Sequence, residues 1–239
     1  MQRRFFVEIP IQGTVTEITG PDAHHIRNVN RMDVGDTITL FDGCGSEFDA
    51  KITELQKKSV ALEIVGEQKV SREIDGELIL AVALPKGDRQ KIVVEKLVEL
   101  GVTKLIPIVC ERSVAQIKDK SIERLNRWVI EASKQCGRNV LMKIDSSIPV
   151  GELFSMYSDS ICFFAHPYGQ AIDANEAGKK TGIEDSVVVA IGPEGGFSEG
   201  EVQLANQSEW KSLRLGRSIL RVETAAAAAA TIFGMGRSS

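Results

Sequence analysis

The sequence predicts an α/β chain of two domains: a small β-barrel or sandwich over residues 1–72, then a parallel sheet covered by helices over 73–239. Three observations predict it. Apolar residues alternate with period two up to about residue 70. From about residue 76, continuous apolar runs replace that alternation and are separated by segments of helical spacing. Between the two, Val70 to Gly76 trades the apolar pattern for charge and a glycine.

The N-terminal stretch MQRRFFVEIPIQG has two arginines but only a short apolar run, broken by Glu8, so it reads as a first strand and not a signal peptide. Alternation then marks strands at Thr14 to Ile18, Thr37 to Phe41, Phe48 to Ile52 and Val60 to Ile64, divided by Gly35-Asp36, Asp42-Gly43 and Gly66. A short helix is expected around Asp22 to Val29. In the second half, Leu78 to Leu84 is a buried strand. Asp88 is placed to cap a helix with apolar positions Ile92, Val93, Leu97 and Leu100, and Gly101 to stop it. Leu105 to Val109 follows as a strand. Ile122, Leu125, Val129, Ala132 and Cys136 recur at helical spacing up to Gly137. Ile161 to Ala165, Val187 to Ile191 and Leu213 to Leu215 are further buried strands.

Composition excludes several classes. Apolar residues at 43% and charged residues at 26% are ordinary for a soluble globular protein. No apolar run approaches the roughly 18 residues of a membrane helix. The formal net charge of -4 removes a bulk basic signal, so any nucleic-acid site must be a local patch. Cys44, Cys110, Cys136 and Cys162 form no CxxC pair; they read as reduced, mostly buried thiols of a cytoplasmic protein. With 3 histidines and no ligand spacing, no metal site is expected.

Parallel sheets bind ligands at the carboxyl ends of their strands. Three such ends carry unusual loops. Phe164-Ala165 leads into His166-Pro167-Tyr168-Gly169. Ala190-Ile191 leads into Gly192-Pro193-Glu194-Gly195-Gly196. Leu213 to Leu215 leads into Gly216-Arg217-Ser218-Ile219-Leu220-Arg221. Glycine lets a backbone approach a ligand closely, and proline stiffens that approach. Ser198 and Glu201 form a capping box, so a helix begins just past the second loop. On the residues alone these glycines are as well explained by a tight strand-to-helix turn. Neither GxxxxGK[ST] nor GxGxxG is present, which favours a ligand held by backbone and apolar groups over a phosphate cradle. Six alanines after Thr224 favour a helix able to pack very closely, either in the core or at an interface between subunits.

GPEGGFSEGE together with LGRSILRVETA resembles the small-subunit ribosomal RNA methyltransferase E family, of the SPOUT class of knotted methyltransferases. HHIRNVNRM is similar to that family's N-terminal RNA-facing segment, and LPKGDRQKIVVEKLVELGVTKLIPIVCERS to its first strand, helix and second strand. EASKQCGRN is similar to its mid-chain motif. The resemblance covers nearly the whole chain. Two departures stand out: the family has an apolar residue where Asn30 sits, and a proline shortly after Asn139, where this chain reads Val-Leu-Met.

The resemblance implies a PUA-like β-barrel for residues 1–72 and a SPOUT α/β trefoil knot for 73–239. Periodicity alone points to an open sheet, since knots are very rare. It further implies methylation of uridine N3 in 16S ribosomal RNA of the small subunit, S-adenosyl-L-methionine as cofactor, and a homodimer through the knot domain. Cofactor contacts are expected from Ala165, His166 and Pro167, from Ile191, Gly192, Pro193, Glu194, Gly195 and Gly196, and from Leu215, Gly216, Ser218, Ile219 and Leu220. Related readings are a SPOUT enzyme acting on a ribose 2′-hydroxyl, and a non-catalytic RNA-binding or assembly protein.

Uracil N3 carries an imide proton and attacks only once that proton is lost, so the site must favour an anion. Arg221 is the expected catalytic group: guanidinium stays protonated and cannot act as a base, but its planar fork can bond a uracil carbonyl. Glu223 either orients Arg221 or sits near a helix N-terminus for reasons of dipole alone. RNA contacts are expected from Arg3, Arg4, His25, Arg27 and Arg31, in a stretch whose only acidic residues are Glu8, Glu17 and Asp22, and from Lys86, Arg89, Arg112 and Arg138.

Overall fold

The computed structural model describes residues 3–114, 119–157, 159–166, 172–173, 181–182, 184–235 and 237. The chain divides into two compact units. One comprises residues 1–72 and 133–141, the other 73–132 and 142–239. Residues 133–141 pack within the first of these units.

The first unit is built on a five-stranded sheet of β1 (Arg4–Phe6), β2 (Val15–Thr19), β3 (Thr37–Phe41), β4 (Glu47–Leu55) and β5 (Ser59–Gln68), in the order β1-β3-β4-β5-β2. β1 and β3 run parallel; the other pairs are antiparallel. Period-two alternation buries Ile38 and Leu40, Phe48, Ala50 and Ile52, and Val60 and Leu62 on one face. β4 carries register shifts at Asp49/Ala50 and Ile52/Glu54, which bend it. The expected helix is a short α1 (Gly20–His24) running into a π-helical turn, His25–Val29, whose Ile26 is buried in the same core.

Residues 133–141 are tied into this unit by polar contacts. The Arg4 guanidinium donates to the Arg138 carbonyl at 3.2 Å and to Asn139 Oδ1, pairs with Glu47 at 2.9 Å, and lies 4.3 Å over the Phe41 ring. Arg72 pairs with the same Glu47 oxygen at 3.1 Å and donates to the Gly137 carbonyl at 2.8 Å. Asn139 Nδ2 donates to the Val70 carbonyl at 2.7 Å. Burial pushes the Glu47 carboxyl up, but Arg72 and Arg4 more than offset this and hold it below its ordinary value.

The second unit holds a parallel sheet. Its strands are β6 (Glu77–Val82), β7 (Lys104–Val109), β8 (Lys143–Ile144), β9 (Ile148–Pro149), β10 (Ile161–Ala165), β11 (Ile172–Asp173), β12 (Ser186–Ile191) and β13 (Lys211–Arg214). The order is β11-β13-β10-β12-β6-β7-β8, with β9 pairing β7 further along. The central strands are buried on both faces, as their unbroken apolar runs require. Ile79, Ala81, Val188 and Ala190 face α4 (Val150–Met156) and α5 (Glu199–Gln207) in one core with Phe154 and Trp210. The alternate residues Leu78, Leu80, Val187 and Val189 are equally buried, and on their side Phe163 stacks on Phe233 of α6 (Val222–Gly234) with ring centroids 5.0 Å apart.

Helix α2 (Arg89–Glu99) starts where expected, but Asp88 is itself helical and its side chain makes no cap bond. Its buried face is also rotated. Val93, Val94, Leu97 and Val98 are buried, whereas Ile92 is 44% exposed. Gly101 ends it with φ +81. The alanines of α6 let it pack against α2, and a Cβ on Gly234 would come within 2.9 Å of the Leu100 carbonyl oxygen. Helix α3 (Asp119–Cys136) stops at Gly137, φ +86. No helix among the described residues is long and apolar enough to cross a membrane.

Candidate active site

Three parallel strands, β10, β12 and β13, end on one side of the sheet, and the loops that follow them enclose a cavity of about 280 Å³. From the first come Ala165 and His166, whose backbone N–H donates to the Leu213 carbonyl at 2.9 Å. The second gives Ile191 and the whole run Gly192 to Gly196. The third gives Leu215, Gly216, Ser218, Ile219 and Leu220. The structure thus brings together every described residue assigned to the cofactor from the sequence; Pro167 lies outside the described residues.

The sequence reading missed the floor of the cavity. Leu213 and Arg214 of β13 and Val222 and Ala225 of α6 also line it. A signal existed: Ala225 begins the alanine run, and its small side chain lets the first turns of α6 come close.

The glycine loop has a defined shape. The Gly196 N–H donates to the Pro193 carbonyl at 2.8 Å, closing a turn in which Gly196 takes φ +70, a conformation that disfavours other residues. A Cβ on Gly192 would sit 3.1 Å from the Phe197 ring, and one on Gly195 would sit 3.2 Å from Arg112 Cβ. A Cβ on Gly216 would meet nothing within 4 Å, so the bare backbone there borders open space. The capping box forms: Ser198 N–H donates to Glu201 Oε2 at 2.7 Å, and Glu201 N–H to Ser198 Oγ at 3.4 Å. The second oxygen, Glu201 Oε1, accepts the Glu111 N–H at 2.7 Å, joining the segment after β7 to the start of α5.

Arg221 occupies the cap position of α6, between the cavity-lining Leu220 and Val222. Its side chain is exposed and engages no partner among the described residues. Glu223, given two readings from the sequence, does not pair with it. Glu223 Oε2 is buried, accepts no hydrogen bond and lies 3.9 Å from Arg89. It sits in the first turn of α6, in keeping with the dipole reading.

A family model for the RNA methyltransferase domain matches residues 72–234, and one for the RNA methyltransferase PUA domain matches residues 18–65. The ribosomal RNA small subunit methyltransferase E of Bacillus subtilis is 30% identical over 238 residues, covering 93% of this chain and 92% of that protein. This chain belongs to the ribosomal RNA small subunit methyltransferase E family. Another methyltransferase E, from Rickettsia conorii, is 30% identical over 204 residues, with 85% and 82% covered. Among solved structures, methyltransferase E from Neisseria gonorrhoeae bound to S-adenosyl methionine superposes with TM-score 0.86 at 30% identity, covering 96% of this chain and 95% of that one. A putative methyltransferase from Legionella pneumophila, in complex with bound cofactor SAM, gives TM-score 0.88 at 29% identity, covering 98% and 97%.

The residues expected to meet RNA divide into three groups. Arg3, His25, Arg27, Arg31 and Lys86 are exposed; Arg27 donates to the Gln56 carbonyl at 3.2 Å, and His25 sets its ring edge-on to Phe5. Arg4 and Arg138 are not surface groups. The Arg4 side chain is 9% exposed and held by the contacts described above, and Arg138 is buried. A count of arginines in a sequence cannot separate these from solvated ones, because the contacts that hold Arg4 come from residues distant in sequence, Glu47 and Asn139 among them. Arg89 and Arg112 form the third group: both reach the glycine loop, Arg89 to Glu194 at 2.9 Å and Arg112 to the Gly195 carbonyl at 3.0 Å.

Proposed function

We propose that this chain methylates N3 of a uridine in 16S ribosomal RNA of the small subunit, using S-adenosylmethionine bound in the cavity at the ends of β10, β12 and β13. One observation carries this reading: Arg221, whose guanidinium engages no partner among the described residues, caps α6 between two residues that line the cavity. The residues fit the cofactor. About 280 Å³ is near the lower end of the range for small-ligand sites, about 300–1,000 Å³. Gly192, Gly195, Gly196 and Gly216 leave bare backbone at its wall. The relatives named above that carry this cofactor support the assignment.

S-adenosylmethionine supplies an electrophilic methyl group. The protein has two tasks: to align uracil N3 with it, and to stabilise the negative charge that appears on the uracil carbonyls as the imide proton leaves. Alignment alone contributes up to roughly 7–11 kcal/mol. Arg221 performs the second task, donating to a carbonyl oxygen as its charge grows. With no carboxylate partner among the described residues, the guanidinium is available for that bond.

In this reading the first unit is a PUA-like barrel that meets RNA through Arg3, His25, Arg27 and Arg31, with Lys86 on the second unit. The second unit is a trefoil knot, and α6 serves a homodimer in the cytoplasm, where small subunits are found. Methyl transfer from labelled cofactor to assembled small subunits and to naked RNA, followed by nucleoside analysis, tests the function. The expected product is 3-methyluridine. A ribose-methylated nucleoside, or no transfer, would overturn it.

A further inference from the structure

Two arginines expected to hold phosphates converge instead on two consecutive residues of the glycine loop. Arg89 comes from the segment after β6 and Arg112 from the segment after the neighbouring strand β7. Arg89 pairs with the Glu194 carboxylate at 2.9 Å, and its other terminal nitrogen lies 3.9 Å from Glu223 Oε2, the buried oxygen that accepts no hydrogen bond. Arg112 donates to the Gly195 carbonyl at 3.0 Å, and its stem lies against Gly195. The base of Arg112 is itself fixed, because the preceding N–H, of Glu111, is held by Glu201. Arg89 thus spans the glycine loop and the first turn of α6, and Arg112 closes the loop from the other side.

We infer that Arg89 and Arg112 are positioning residues for the donor pocket, a role that rests on the donor reading above. A loop with adjacent glycines has many conformations, and ordering it on binding opposes affinity. Two guanidinium contacts, one to the Glu194 carboxylate and one to the Gly195 carbonyl, hold this part of the loop before a ligand arrives. Through Glu223, Arg89 also links Glu194 to the helix start that carries Arg221. RNA phosphates would have to take both arginines away from the loop, so occupancy by RNA and a well-ordered pocket oppose each other at these two side chains.

The test is calorimetric titration of S-adenosylhomocysteine into the full chain and its variants Arg89→Ala, Arg89→Lys, Arg112→Ala and Glu194→Gln, with amide exchange of residues 194–198 measured in the ligand-free proteins. Each alanine variant is expected to weaken binding about three- to fivefold, the scale of a partly exposed ion pair. Arg89→Lys should lose less, and Arg89→Ala combined with Glu194→Gln should lose no more than Arg89→Ala alone. Exchange in the loop should quicken. Salt titration of binding to assembled small subunits should keep its slope. Unchanged affinity for S-adenosylhomocysteine, with a salt slope reduced by about one unit per arginine, would return both residues to phosphate contact and overturn the inference. Should the unaltered protein bind no S-adenosylhomocysteine, the donor reading fails; exchange in the ligand-free proteins still decides the brace, and unchanged rates would sink it.

Discussion

Glu201 accepts the backbone N–H of Glu111 at 2.7 Å across 90 residues of sequence. The same carboxylate caps α5, so one buried side chain fixes both the segment after β7 and the helix that leaves the glycine loop. Charge-assisted hydrogen bonds to buried N–H groups are among the strong ones, and their loss leaves donors unsatisfied. Glu201→Ala should therefore lower the unfolding free energy by about 2–4 kcal/mol, read from urea denaturation. Glu201→Gln should lose less, since its one carbonyl still accepts.

Arg221→Ala should leave S-adenosylhomocysteine affinity within about twofold and lower turnover by about 10²-fold, the scale of one lost donor to a developing anion. Titration and single-turnover assays separate the two. A variant that turns over at the normal rate would remove Arg221 from the mechanism.

Glu47 makes the first unit acid-sensitive. Its folded-state value lies below the ordinary 4.5, so its contribution to stability is complete above about that pH and fades as pH falls through the folded value. Thermal melts of the wild type and Glu47→Gln should therefore differ most at neutral pH and converge as pH falls through the folded value. Parallel curves across that window would show that the Arg4 and Arg72 pairs contribute nothing.

The cysteines should react in a fixed order. Burial pushes the Cys110 thiol up to about 12, with the Glu201 charge adding to it, and burial alone pushes Cys162 to about 12. Cys44 is exposed, and the Asp42 charge beside it raises its thiol above the ordinary value. Iodoacetamide at neutral pH should label Cys44 first, more slowly than a free thiol, and reach Cys110 and Cys162 only on unfolding. Mass spectrometry of the digests reads the order.

Strands and helices were legible because burial imprints a period. Where the apolar residues surround a helix, the period alone does not choose a face. In α2, which packs against α6, Val94 and Val98 are buried while Ile92 is exposed. Cofactor loops were legible as glycine and proline at strand ends. The roles of Arg4, Arg89 and Arg112 were not, since each is set by a partner distant in sequence, nor was the burial of Arg138. Asn30, the departure from the family's apolar residue, has a structural counterpart: its Nδ2 is buried and finds no partner among the described residues. Asn30→Leu should accordingly raise stability by about 1 kcal/mol, measured by chemical denaturation.

The first unit is assembled from two separated stretches of chain, 1–72 and 133–141. During synthesis the second stretch leaves the exit tunnel some sixty residues after the first. At about 5–20 residues per second, that is a delay of roughly 3–12 s. Until then Arg4 lacks the Arg138 carbonyl and Asn139, and Val70 lacks its amide donor. The N-terminal sheet must wait, incompletely latched, for a strip of polypeptide made much later, so a recombinant fragment cut at residue 72 would carry the strands without their clasp.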